Sequence, residues 1–140
     1  MKKKLFLLVL ALVVTMFLVG CSSGIVTPVT DEAKIKSVIN EFCLAINDQD
    51  WSKAKSYCVY KSEEYYKTCY MEDEFNTLHS YCDLVTINFN MDIYDVSIYG
   101  DYSEVYGYLT LVMSACGQFN SDSGYFWEYL QKVGNSWKLY

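Results

Sequence analysis

Apolar residues recur at spacings of three and four along one stretch of the chain: Ile35, Val38, Ile39, Phe42, Ala45 and Ile46 fall on a single helical stripe. Thr30 stands where a cap belongs, and Asp31 and Glu32 oppose the positive end of the helix dipole, so a first helix is predicted to run to about Asn47. Asp48-Gln49-Asp50 breaks it, and Asp50 can cap a second, short helix in which Trp51, Ala54, Tyr57 and Cys58 share a face. Between Ser62 and Tyr81 polar and aromatic residues interleave without a clean stripe, and a third helix is placed there with open boundaries. After Cys82 the period changes to two. Ile87, Phe89, Met91 and Ile93 alternate with Asn88, Asn90, Asp92 and Tyr94, the pattern of a half-buried antiparallel strand. Tyr99-Gly100-Asp101-Tyr102 is a turn, and a second strand alternates Val105, Gly107, Leu109, Leu111 and Met113 with Tyr106, Tyr108, Thr110 and Val112. Gly117 to Gly124 reads as a polar loop before a third strand, Tyr125 to Val133, and Gly134-Asn135 turns the chain into Ser136 to Tyr140. Helices first and strands second predict an α+β fold, a meandering antiparallel sheet with the helices packed on one face.

The amino terminus follows a different logic. Met1-Lys2-Lys3-Lys4 precedes an apolar run from Leu5 to Val19, a charged start and an apolar stretch of secretory length, shorter than the roughly 20 residues that span a bilayer. Leu18-Val19-Gly20-Cys21 then resembles the lipobox of bacterial lipoproteins. That resemblance implies cleavage before Cys21 and lipidation of its thiol, so that membrane lipid is the first expected partner and the extracytoplasmic face of the cell membrane the expected location. Two or more acyl chains, at about 0.8 kcal/mol per buried methylene, hold a protein on a membrane where one does so only marginally. Residues 1–20 are thus expected to be a signal peptide, 21–29 a lipidated tether and 30–140 the folded domain.

Composition narrows the function classes. The 140 residues carry a formal charge of −6, and all 11 basic residues are lysine. Three of those lysines lie in the leader, so the mature part is more acidic still. An acidic surface without guanidinium forks argues against nucleic acid and against acidic substrates. The length allows one domain and leaves no room for a separate cofactor domain.

Three segments carry a family resemblance: Ala45-Ile46-Asn47-Asp48-Gln49-Asp50-Trp51 at the end of the first helix, the hairpin Val96-Ser97-Ile98-Tyr99-Gly100-Asp101-Tyr102-Ser103-Glu104-Val105, and the closing Tyr129-Leu130-Gln131-Lys132-Val133-Gly134-Asn135-Ser136-Trp137-Lys138. Together they resemble the nuclear transport factor 2-like (cystatin-like) superfamily over about Asp31 to Tyr140. The resemblance implies a curved sheet wrapped around the first helix into a cone open at one end, a frame that serves isomerases, dehydratases and cyclases as well as noncatalytic binding and dimerisation modules. On that frame Phe42, Trp51, Phe89, Leu109 and Trp127 are expected to line a ligand cavity.

Candidate chemistry is sparse. His79 is the single histidine, so one chain assembles no His pair and no Ser-His-Asp relay. Enzymes of this superfamily use a buried carboxylate base, for which Asp92 and Glu128 are the candidates, each flanked by apolar neighbours and each turned inward only if the strand register shifts by one. Asn88, Asn90 and Asp92 lack the looped geometry that wraps calcium, and no Cys-x-x-Cys points to zinc; neither a metal nor a cofactor is expected. The 14 tyrosines read first as strand formers that keep their hydroxyls wet, with a carbohydrate or flat-ligand surface as the alternative. Beyond Cys21 the cysteines are Cys43, Cys58, Cys69, Cys82 and Cys116, and an oxidising compartment favours a disulfide. One bridge is expected among Cys58, Cys69 and Cys82, which cluster in the helical half. The resulting expectation is a membrane-anchored lipoprotein whose domain binds a small apolar ligand or a protein partner without catalysis. An isomerase or cyclase with a buried carboxylate base, and a structural subunit that forms a homodimer through its sheet, are the alternatives.

Overall fold

A computed structural model describes residues 29–140; the leader, Cys21 and the tether up to residue 28 lie outside the described residues. Helix α1 (Asp31–Asn47) begins where Thr30 Oγ1 accepts from the Ala33 amide at 3.2 Å. Its stripe of Ile35, Ile39, Phe42, Cys43, Ala45 and Ile46 is buried. Helix α2 (Trp51–Ser56) is capped by Asp50, whose carboxylate accepts from the Lys53 amide at 3.0 Å, and α3 (Glu63–Tyr81) by Ser62, which accepts from the Tyr65 amide at 3.2 Å. In α3 only Glu64, Thr68 and Phe75 are buried, which is why its sequence shows no clean stripe.

Four antiparallel strands follow in the order β1 (Val85–Tyr99), β2 (Tyr102–Ala115), β3 (Gln118–Val133) and β4 (Ser136–Leu139), forming a sheet that curls over α1. A bulge at Tyr94 shifts the β1–β2 register between Ile93 and Asp95 and bends the strand. The inner face carries Ile87, Phe89 and Met91 of β1, Val105, Leu109 and Leu111 of β2, and Phe126, Glu128 and Leu130 of β3. Phe42 of α1 meets Phe89 edge to face, ring centroids 6.1 Å apart. Asn47 closes α1 against the free edge of β1: its Nδ2 donates to the Phe89 carbonyl at 3.0 Å, and the Phe89 amide donates to its Oδ1 at 2.6 Å.

The structure corrects two expectations here. Gln118 to Gly124 belongs to β3, because Cys116 and Gly117 take positive φ (51° and 75°) and reverse the chain in two residues. The segment looked like a loop because residues 118–123 are exposed on both faces and carry no alternation of apolar and polar side chains. The disulfide joins Cys82 to Cys116, with Cα atoms 5.1 Å apart, while Cys58 and Cys69 are free. Cys82 ends α3, and the pairing of Val85 with Ala115 returns the β2–β3 turn to that helix end. Cys58 instead points into the core, 3.7 Å from Thr68 Oγ1, and burial pushes its thiol up to about 12. Burial likewise raises Cys43 to about 11, so both behave as inert core residues.

Candidate functional site

Between the first half of α3 and the inner face of the sheet lies a cleft of about 420 Å³. Phe89, Met91, Leu109, Phe126 and Met71 give it apolar walls, and Glu64, Lys67 and Glu128 bring titratable groups. Glu64, Lys67 and Met71 reach it together because spacings of three and four set them on one face of α3. Phe126 lies on the inner face because Gly107 opposes it across the ladder. A Cβ at Gly107 would stand 2.7 Å from the Phe126 ring and would collide with the Asp92 carbonyl oxygen.

The polar groups are coupled. Glu128 is 9% exposed, and burial pushes its carboxyl up to about 8, with the negative charge of Glu64 adding to the rise and Lys67 opposing it. Glu64, also buried, is raised by the same loss of water against the pull of Lys67. Lys67 Nζ sits 3.1 Å from Glu63 Oε1 and 3.3 Å from Glu64 Oε2; burial works against its charge, but these carboxylates outweigh that and hold its pKa up. At neutral pH Glu128 therefore carries its proton and is a hydrogen-bond donor inside an apolar wall.

The expected site residues separate. Phe89 and Leu109 line the cleft. Phe42 is fully buried and Trp51, at 8% exposure, packs on Phe75 with ring centroids 5.6 Å apart, so both are core and not cavity wall. Trp127 and its neighbour Tyr125 also border the cleft, although the Trp127 ring is 58% exposed and lies 4.8 Å from that of Tyr106. Asp92 faces outward: it pairs with Tyr108, is exposed, and accepts from Asn90 Nδ2 at 2.9 Å. Its candidacy as a buried base ends there, since water keeps solvating its charge. Glu64, Lys67, Met71, Met91 and Phe126 were missed. The signal for β3 was Leu130, whose aliphatic side chain marks the inward phase and takes Glu128 and Phe126 with it.

A larger groove, about 540 Å³, runs past Lys61, Glu63, Tyr102 and Tyr140, but it lacks the buried titratable pair. Among the described residues no group of three His, Cys, Asp or Glu side chains forms a metal site.

No protein-family model matches the sequence, and no curated protein matches it. Solved structures do. An NTF2-like protein of unknown function from Shewanella oneidensis MR-1 superposes with a TM-score of 0.61 at 10% identity, covering 79% of this chain and 94% of that one. The chain has the NTF2-like fold. A conserved protein from Planctomyces limnophilus DSM 3776 superposes at a TM-score of 0.61 and 15% identity, over 78% of this chain and 90% of that one. The beta subunit of benzoate 1,2-dioxygenase from Burkholderia mallei ATCC 23344 matches at 0.61 and 11% identity, over 81% and 87%. Likeness at these identities speaks for the fold and not for an activity. In the NTF2-like cone of this chain the Glu128 cleft is the opening between α3 and the sheet.

Proposed function

We propose that the mature chain is an extracytoplasmic lipoprotein, held on the membrane through Cys21, whose NTF2-like cone binds a small, mostly apolar molecule. The observation that carries the binding reading is the cleft itself: apolar walls from Phe89, Met91, Leu109 and Phe126 around one protonated carboxyl at Glu128. Such a pocket gains affinity from apolar burial and sets orientation by a single hydrogen bond, donated by Glu128 to a carbonyl or ether oxygen of the ligand. The experiment is fluorescence titration with the neutral dye Nile red. Wild type is expected to enhance its emission saturably, and Leu109→Trp, which fills the cleft, to lose that enhancement; equal enhancement in both proteins contradicts the reading.

Acid–base catalysis is the second reading, and Glu128 is what favours it. A carboxyl with a pKa of about 8 can give up and retake a proton near neutral pH, as proton transfer to and from carbon requires. Such a reaction also needs a donor aimed at the substrate oxygen on which negative charge develops. Turnover of an enolisable ketone by wild type, abolished in Glu128→Gln, would replace binding with catalysis.

A further inference from the structure

The side of the sheet turned away from the cone carries a second feature. Tyr94, Tyr106, Tyr108, Tyr125 and Trp127 form a continuous aromatic group across β1, β2 and β3. Tyr106 and Tyr125 stack at 15° with centroids 5.7 Å apart, Trp127 lies 4.8 Å from Tyr106, and Tyr94 and Tyr108 meet their neighbours edge-on at 6.0 and 5.3 Å. Tyr94, Tyr125 and Trp127 are each more than half exposed. Aromatic rings of this size on a free sheet face leave a large apolar area in water.

The chemistry around the rings selects the occupant. Strand register turns Asp92, Asp95 and Glu104 to the same face, together with Asn88, Asn90, Ser97 and Ser123. No cation occupies an outward position of β1, β2 or β3, and the one outward lysine of β4, Lys138, donates to the Ser56 carbonyl at 3.0 Å. Val112 and, at the far end of β3, Val133 are the aliphatic side chains among those outward positions of β1 to β3, and they are too far apart to form one patch. A polyanion is repelled by three carboxylates without a counterion. A second copy docked face to face would press these carboxylates against their own equivalents, or strip their water, without the aliphatic centre that homodimer interfaces bury.

We propose that this face is a binding platform for a neutral oligosaccharide. Flat aromatic rings meet the C–H faces of pyranose rings, and the surrounding carboxylates, amides and hydroxyls take the sugar hydroxyls as paired donors and acceptors. The platform lies on the outer side of the strands whose inner side walls the Glu128 cleft; Tyr125 and Trp127 border both, and Tyr94, Tyr106 and Tyr108 belong to the platform alone.

Trp127 makes the test direct, because Trp51 and Trp137 are buried and Trp127 is exposed. The probes are cellohexaose, xylohexaose, chitohexaose and mannohexaose, with polygalacturonate as the anionic control, read by tryptophan emission and acrylamide quenching of the mature domain. At least one neutral hexasaccharide is expected to protect Trp127 saturably, with polygalacturonate inert. Trp127→Ala and Tyr106→Ala, the latter outside the lining of the cleft, are each expected to weaken binding at least tenfold in isothermal titration. Failure of all four neutral sugars to bind, or binding indifferent to Trp127→Ala and Tyr106→Ala, overturns the proposal. So does a dimer in sedimentation analysis that Trp127→Ala dissolves, which would assign the face to a second copy.

Discussion

Glu128 differs from the other acids of the chain because strand alternation, and not local composition, decides its surroundings. Its neighbours in sequence, Trp127 and Tyr129, are both exposed, yet its own carboxyl is buried beside Glu64. Since its folded pKa of about 8 lies above the ordinary 4.5, folding holds a proton that the unfolded chain releases. Stability is therefore expected to fall as pH rises from about 4.5 to about 8 and to level off above that. Glu128→Gln removes its share of the dependence, leaving that of Glu64, and should stabilise the domain at pH 8 by a few kcal/mol, on the order of 4; urea titrations of both proteins across that range check it, and parallel pH profiles would contradict it. Asp31 works in the opposite direction: hydrogen bonds from Lys132 and Lys34 hold its carboxyl down at about 2, so that its contribution is lost only in strong acid. That Glu128 carries the site was half legible. Its identity as a candidate came from flanking apolar residues, but its direction needed the β2–β3 register. Trp127 borders the cleft as expected, but its exposed ring also stands beside Tyr106, which the period alone did not show.

At the scale of elements, the helices were readable wherever one face is buried. The stripe of α1 is the core, and Phe42→Ala is expected to cost about 3 to 5 kcal/mol in chemical denaturation, because a fully buried ring leaves a cavity against Phe89. A cost below roughly 1 kcal/mol would place that ring outside the core. The third helix was only loosely bounded, since Glu64, Thr68 and Phe75 give too few apolar positions for a periodic signal. The disulfide escaped because closeness in sequence suggested Cys58 or Cys69, whereas the hairpin turning at Gly100 returns Cys116 to the end of α3. That bridge closes a loop of 34 positions, for which chain entropy gives about 2 to 4 kcal/mol. Cys116→Ser should lower the denaturation midpoint accordingly, and reducing agent should do the same to wild type but leave the variant unmoved.

For the whole molecule, sequence period and turn chemistry were enough to place helices before Cys82 and a meandering sheet after it, whereas the NTF2-like cone was implied by the resemblance of three segments to the superfamily and is what the structure shows. Among the described residues no helix is long and apolar enough to cross a membrane. The anchoring proposal therefore rests on Cys21: Cys21→Ala is expected to yield an unprocessed precursor or soluble protein on cell fractionation, and unchanged maturation with membrane partitioning would refute lipidation. What the cone does rests on Glu128 keeping its proton in a cleft that an apolar molecule can enter. The most direct measurement is a carbon-detected NMR titration of the Glu128 side-chain carboxyl, with and without saturating Nile red. The account predicts a midpoint of about 8 in the free protein and a further upward displacement when the dye excludes water from the cleft. A midpoint near 4.5, unmoved by the dye, would contradict it.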